Sequence, residues 1–168
     1  IEFNYAVSDK TTINAGYHQV KAESFKAANA DDSRFGNNDD KLGIWEVGFN
    51  TKFGQDWAFD ANYVKSNQDK LGTDKAEDNG FFTQIQYKAA DIKTEGSYDV
   101  FLNYRKVPVN TQIAETWGYD LNNKGWSLGF DYVPAENINF QAFYFDGKDV
   151  DDSNIKTKFV RAQVELFF

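Results

Sequence analysis

The sequence predicts an all-β chain: an antiparallel, up-and-down sheet of about nine strands with the character of a transmembrane β-barrel. Three observations carry this expectation. Apolar and polar residues alternate with a period of two in nine separate stretches, the mark of strands with one apolar and one polar face. The connections between those stretches are short and long in strict alternation. Aromatic residues make up 17% of the 168 residues although mean hydropathy is −0.65, so rings are interleaved with polar groups at short range. The length suits one domain over 1–168.

The strands follow in order. Ile1, Phe3, Tyr5 and Val7 alternate with Glu2, Asn4, Ala6 and Ser8, and Ile13, Ala15 and Tyr17 alternate with Asn14, Gly16 and His18. Trp45, Val47, Phe49, Thr51 and Phe53 form the apolar side of the third stretch, and Trp57, Phe59, Ala61 and Tyr63 that of the fourth. Next come Phe81, Thr83, Ile85 and Tyr87, then Tyr98, Val100, Leu102 and Tyr104. Trp126, Leu128, Phe130 and Tyr132 are followed by Ile138, Phe140, Ala142 and Tyr144. The last stretch carries Val160, Ala162, Val164, Leu166 and Phe168. Helical periodicity is absent, apart from a short turn of helix expected over Ile113 to Tyr119.

The short connections are 9–11, 54–56, 90–95 and 134–137, and the long ones are 24–43, 67–79, 107–124 and 147–156. In a meander this gathers the short turns at one end and the long loops at the other, the asymmetry of outer-membrane barrels. The apolar faces end in large rings. Trp45, Tyr63, Phe81, Tyr104, Trp126 and Tyr144 stand at the long-loop end. Phe53, Trp57, Tyr87, Tyr98, Tyr132 and Phe168 stand at the short-turn end. Uncharged residues fill the band between them. Amphipathic rings favour the headgroup zone and aliphatic groups favour hydrocarbon, so two belts around an uncharged band predict a membrane-facing surface. Trp45 to Phe53 spans about 26 Å along a strand, or roughly 20 Å of height at a tilt near 40°. A soluble β-sandwich would explain the alternation equally well, but not the paired belts or the alternating loops.

Composition excludes other classes. Acidic residues outnumber basic ones by 26 to 18, a net charge of −8, which argues against a nucleic-acid partner. With no Cys and one His, disulfides, thiolate sites and multi-His metal clusters are excluded, and neither metal nor cofactor is expected. No apolar run reaches the length of a transmembrane helix, and Ile1-Glu2-Phe3-Asn4 is no signal peptide. No enzyme is expected. His18 and Ser24 would lie about 20 Å apart along a strand, too far for a nucleophile–base pair. His18 reads as a residue of the polar wall.

The chain ends Lys158-Phe159-Val160-Arg161-Ala162-Gln163-Val164-Glu165-Leu166-Phe167-Phe168. A terminal Phe after alternating apolar residues resembles the assembly signal of bacterial outer-membrane barrels. Phe168 matches the terminal aromatic, and Val160, Ala162, Val164 and Leu166 match the alternating positions. With the belts, the whole chain resembles the C-terminal part of a bacterial porin, with a weaker similarity to porins that carry an S-layer-homology domain. The resemblance implies an outer-membrane location, a trimer, recognition by the barrel-assembly machinery and contact with outer-membrane lipid. The weaker similarity implies a link to peptidoglycan or cell wall through a domain outside this chain. Nine strands are odd where bacterial barrels are even, so the expectation is the last nine strands of a barrel of about 16.

If the apolar face meets lipid, the polar face meets a lumen. The expected pore-lining residues are Glu46, Lys52, Asp60, Asn62, Gln84, Lys88, Asp99, Asn103, Arg105, Asp131, Gln141, Arg161 and Glu165. Asp60, Asn103, Gln141 and Arg161 are expected near mid-height. Opposed charges there would set a transverse field and tune ion selectivity, or merely pair along the wall. The loop acids Asp31, Asp32, Asp39, Asp40, Asp69, Asp74, Glu77, Asp78, Asp149, Asp151 and Asp152 would favour cation entry, bind divalent ions between lipopolysaccharide molecules, or simply be solvated. The implied function is passive diffusion of small hydrophilic solutes and ions. The alternatives are a structural barrel that tethers the membrane or acts as an adhesin, and an outer-membrane hydrolase.

Overall fold

The computed structural model describes residues 1–21, 41–71, 74–111 and 122–168. It is all-β. The strands are β1 (Glu2–Ser8), β2 (Thr11–Lys21), β3 (Lys41–Phe53), β4 (Trp57–Ser66), β5 (Lys70–Leu71), β6 (Asp74–Lys75), β7 (Asn79–Lys88), β8 (Tyr98–Val107), β9 (Asn123–Ala135), β10 (Ile138–Asp149) and β11 (Lys156–Leu166). Nine of them form one antiparallel sheet in the order β1-β2-β3-β4-β7-β8-β9-β10-β11. Each strand pairs with its predecessor, so the sheet is a meander. It is open, with β1 and β11 at its two edges. Among the described residues no helix is long and apolar enough to cross a membrane.

All nine alternating stretches fall on strands of this sheet. Several strands run further than the apolar alternation, because backbone pairing continues after the outward side chains turn charged. β11 begins at Lys156, and β9 begins at Asn123. The long polar connection 67–79 holds a feature that its composition hides, the β5–β6 hairpin. Nearby, a 3-10 turn over Val109–Thr111 buries Asn110. Its side-chain amide donates to the carbonyls of Gln68 at 3.3 Å and Lys70 at 3.0 Å. These bonds tie two neighbouring loops together. The helical turn expected over Ile113–Tyr119 lies outside the described residues, as do Glu23, Ser24, Asp31, Asp32, Asp39 and Asp40.

Exposure across the sheet is inverted relative to a soluble protein. Along β9, Trp126 and Leu128 are each 56% exposed, whereas Ser127 is 2% and Asp131 8% exposed. The same holds on β8, where Asp99 and Asn103 are buried and Val100 and Leu102 are exposed. The rings therefore lie on the open side and the polar groups on the covered side. The covered side is not wholly polar. Leu42 and Ile44 are buried with Val64 against them near the long-loop end, and Phe145 is fully buried.

Glycines make room on the covered side. Phe101 and Gly129 are register partners, and a Cβ on Gly129 would collide with the Phe101 ring. Gly54 ends β3 with φ of 61°, in the left-handed region that glycine adopts without penalty. The β7–β8 turn is closed by Asp91, whose carboxylate accepts from the Lys93 backbone N–H at 3.0 Å and the Thr94 hydroxyl at 2.9 Å.

Two outcomes follow from these contacts. Gly129→Val must displace the Phe101 ring, and a loss of about 1–3 kcal/mol is expected in urea unfolding of detergent-folded protein. The two hydrogen bonds hold the Asp91 carboxyl below its ordinary value of 3.8. The stabilisation is thus complete above that value and is lost as pH falls through the lowered one. Acid titration of the unfolding midpoint should show this loss in the parent chain, and a smaller one in Asp91→Asn.

Candidate functional site

The candidate site is the sheet itself, one face set against the other. Strand register assigns every expected belt and wall residue to a face. Trp45, Tyr63, Phe81, Tyr104, Trp126, Tyr144, Phe53, Trp57, Tyr87, Tyr98 and Tyr132 all share the open side. Phe168 lies just past the end of β11 and is fully exposed. Val160, Ala162, Val164 and Leu166 pair with Tyr144, Ala142, Phe140 and Ile138 on that same side.

Neighbouring rings touch along each belt. At the long-loop end the centroids of Phe81 and Tyr104 are 5.5 Å apart, and those of Tyr104 and Trp126 4.7 Å. At the short-turn end Phe53 and Trp57 lie 6.3 Å apart, and Trp57 and Tyr87 4.9 Å. Such aromatic pairs add to simple area burial, so Phe81, Tyr104 and Trp126 form a connected run in one belt and Phe53, Trp57 and Tyr87 in the other.

The strips run obliquely across the register. Trp45 pairs with Lys65, two residues beyond Tyr63. Tyr63 and Phe81 are partners, but Tyr104 sits opposite Thr83, two residues nearer the turns. Tyr104 and Trp126 are partners, and Tyr144 sits opposite Leu128, a further two residues down. The other belt shifts the same way but less. Phe53, Trp57 and Tyr87 are in register, and Tyr98 with Tyr132 lies two residues beyond. Averaged over the two belts the drift is about one residue per strand. With about 3.3 Å per residue and 4.8 Å between strands, a level belt on such a sheet needs strands tilted by about 35°, which lies in the range of closed barrels.

The covered side carries Glu46, Lys52, Asp60, Asn62, Gln84, Asp99, Asn103, Arg105, Asp131, Gln141, Arg161 and Glu165, all on one face by register. Lys88, expected with them, ends β7 with φ of 63° and instead carries its ammonium over the open-side rings of Tyr98 and Tyr87, 4.5 and 5.7 Å from their centroids. They are joined by hydrogen bonds. Gln86 donates to Asp99 at 3.2 Å, and Asn139 and Gln141 donate to Asp131 at 3.0 and 2.9 Å. Gln163 bridges Gln141 and Glu165, Asn50 donates to Asp60, and Arg105 donates to the Ser127 hydroxyl at 3.2 Å. Five acceptor oxygens on this side, on Asn14, Asn62, Asp99, Asn103 and Asn139, are buried without a protein partner among the described residues. An unpaired buried acceptor is costly, so this face is chemically suited to contact with solvent.

Of the residues expected at mid-height, Asp60 stands midway between Trp57 and Tyr63, and Gln141 midway between Ile138 and Tyr144. Asn103 and Arg161 stand closer to the long-loop end, beside Tyr104 and Val160. On β8 the mid-height position belongs to Phe101. This ring belongs to a set that the alternation pattern passes over. Phe82, Phe101, Phe143, Phe145 and Phe159 all lie on the covered side. Phe143 and Phe159 have centroids 6.0 Å apart, and the Arg105 guanidinium sits 4.9 Å from the Phe145 ring. Counting each strand's parity through to its last residue would have found them.

A second grouping also escapes the sequence. Glu2, His18 and Glu46 come from three adjacent strands, and their donor atoms lie within 4.8 Å of one another. His18 Nε2 is 3.0 Å from Glu46 Oε1 and 3.7 Å from Glu2 Oε1. Glu46 reaches His18 by folding over Gly16, where a Cβ would come within 2.6 Å of its carboxylate. One imidazole and two carboxylates can pair with each other or accept a cation. On the open side, the small residues Ala15, Val47, Ala61 and Thr83 leave a groove of about 630 Å³ between Tyr5 and Tyr63.

The chain matches no protein-family model and no curated protein sequence.

Proposed function

We propose that this chain forms wall strands of a porin in a bacterial outer membrane, where it passes small hydrophilic solutes and ions by diffusion. The observation that carries the reading is the inverted sidedness: exposed apolar residues bracketed by rings, and covered polar residues joined in a network. In water such a sheet would leave a large apolar area hydrated, which soluble proteins avoid. In a bilayer the same surface is solvated by acyl chains, and the rings occupy the headgroup zone. The tilt that the belts demand supports closure into a barrel, with further strands or a second chain completing the open sheet. The alternation of Val160, Ala162, Val164 and Leu166 along β11 suits recognition by the barrel-assembly machinery. The groove beside Tyr63 gives a neighbouring subunit of a trimer a place to pack. A cell-wall link would need a domain outside this chain. No cofactor and no catalytic step enter this mechanism.

Transport then needs only the wall. Solvent fills the polar side, and solutes are sorted by bore and by field. Glu46, Asp60, Asp99, Asp131 and Glu165 are set against Lys52, Arg105 and Arg161, which gives a transverse field between facing walls. A second reading, a structural barrel with a blocked interior, is favoured by the buried Leu42, Ile44 and Phe145 on the covered side.

Planar-bilayer recording separates the two. Stable ohmic steps are expected for the channel, and silence would favour the structural barrel. Asp60→Lys should shift reversal potentials toward anions in a salt gradient, with step size changed by less than about twofold. The faces themselves are tested by a pair of substitutions at similar height. Leu128→Arg should destabilise the bilayer-folded protein by about 2–4 kcal/mol, while Gln84→Arg should cost far less. Equal costs in refolding titrations would overturn the assignment of faces.

A further inference from the structure

At the long-loop end of the open side, just past the aromatic belt, four lysines stand in a row. Lys106 pairs with Lys124, Lys124 with Lys148, and Lys148 with Lys156. The row crosses β8 to β11 and spans about 14 Å at 4.8 Å per strand. Lys158 lies two residues nearer the turns, opposite Asp146. Like charges directly opposite each other destabilise a sheet, and this row sits in a chain whose net charge is −8.

The protein answers only part of this charge. Lys106 is 3.0 Å from Glu77, and Lys158 is 3.2 Å from Asp146. Lys124 donates to the Val150 carbonyl at 2.8 Å, which leaves its charge in place. Lys148 and Lys156 are exposed, with no carboxylate at ion-pair distance among the described residues. Of the five lysines, Lys124, Lys148 and Lys156 thus have no carboxylate at ion-pair distance among the described residues, although Asp149, Asp151 and Asp152 follow in the adjoining loop. Lys124, Lys148, Lys156 and Lys158 rim a hollow of about 490 Å³ whose other walls include Asp146, Tyr104 and Trp126. Cations above, rings below and an apolar band beneath them match the order of groups in a lipid: phosphate, headgroup linkage, acyl chain.

We infer that Lys124, Lys148 and Lys156, with Tyr104 and Trp126 beneath them, form a binding site for the phosphate group of an anionic membrane lipid in the leaflet on the long-loop side. The inference rests on the membrane reading above. Lysine suits the task because its compact ammonium engages phosphate as a point charge from a flexible stem. Bound phosphate would also relieve the cross-strand repulsion, so lipid binding and sheet stability are coupled at this rim.

The test uses the full chain, the triple variant Lys124→Gln/Lys148→Gln/Lys156→Gln, and a control, Lys10→Gln/Lys93→Gln, at the short-turn end. Each is folded into phosphatidylcholine vesicles and followed by tryptophan emission, then released into detergent for native mass spectrometry with phosphatidic acid or phosphatidylcholine. The parent and the control should hold phosphatidic acid preferentially. The triple variant should fold into vesicles as the parent does but bind phosphatidic acid at least about tenfold more weakly. Inorganic phosphate at equal concentration should not displace the lipid. Equal occupancy by the two lipids, unchanged binding in the triple variant, or displacement by inorganic phosphate would each overturn the site while leaving the membrane reading intact. Failure of the parent to enter phosphatidylcholine vesicles would overturn the membrane reading and the site with it.

Discussion

The structure depends on one constraint: in an extended chain successive side chains point to opposite faces, so a period-two sequence commits each strand to one orientation. A one-residue slip of β9 would carry Trp126 to the covered side and place the Asp131 carboxylate among the rings. Nine strands obey the same parity, and each pairs with its predecessor. The faces are consequently continuous across the sheet, and rings on neighbouring strands meet. The belt contacts among Phe81, Tyr104 and Trp126 result from that shared parity.

The same constraint explains why the two faces are packed differently. On the open side the residues between the belts are uncharged, and they contact chiefly their strand neighbours. On the covered side long polar groups lie across one another. Asp131 accepts from both Asn139 and Gln141, and the Gln163 amide spans two acceptors. A polar network of this kind is stable only when its members are satisfied. The buried acceptors of Asn14, Asn62 and Asn103 find no protein partner among the described residues.

The fold was largely legible in the sequence because its signal is local. Alternation over eight residues identifies a strand, and alternating loop lengths order the strands into a meander. The belts could be read from the outermost ring of each stretch. What escaped the sequence depends on neighbours that only register supplies. Glu2, His18 and Glu46 are far apart in sequence and meet across three strands. Phe101 reads as an interruption of a polar series until Gly129 is found opposite it. Lys106, Lys124, Lys148 and Lys156 look like unrelated loop-flanking charges until pairing sets them side by side. The β5–β6 hairpin lay hidden because a two-residue pairing leaves no periodicity to detect.

The oblique course of the belts has a geometric consequence for any closed form of this sheet. A stagger near one residue per strand makes the shear of the complete circuit about equal to its number of strands, whatever that number is. The tilt is then already fixed by the part in hand, and girth alone remains free. Each additional strand would lengthen the perimeter by about 6 Å, the strand spacing divided by the cosine of the tilt. Strands that complete the ring must keep the same slant, or the seam will leave backbone amides and carbonyls unmatched.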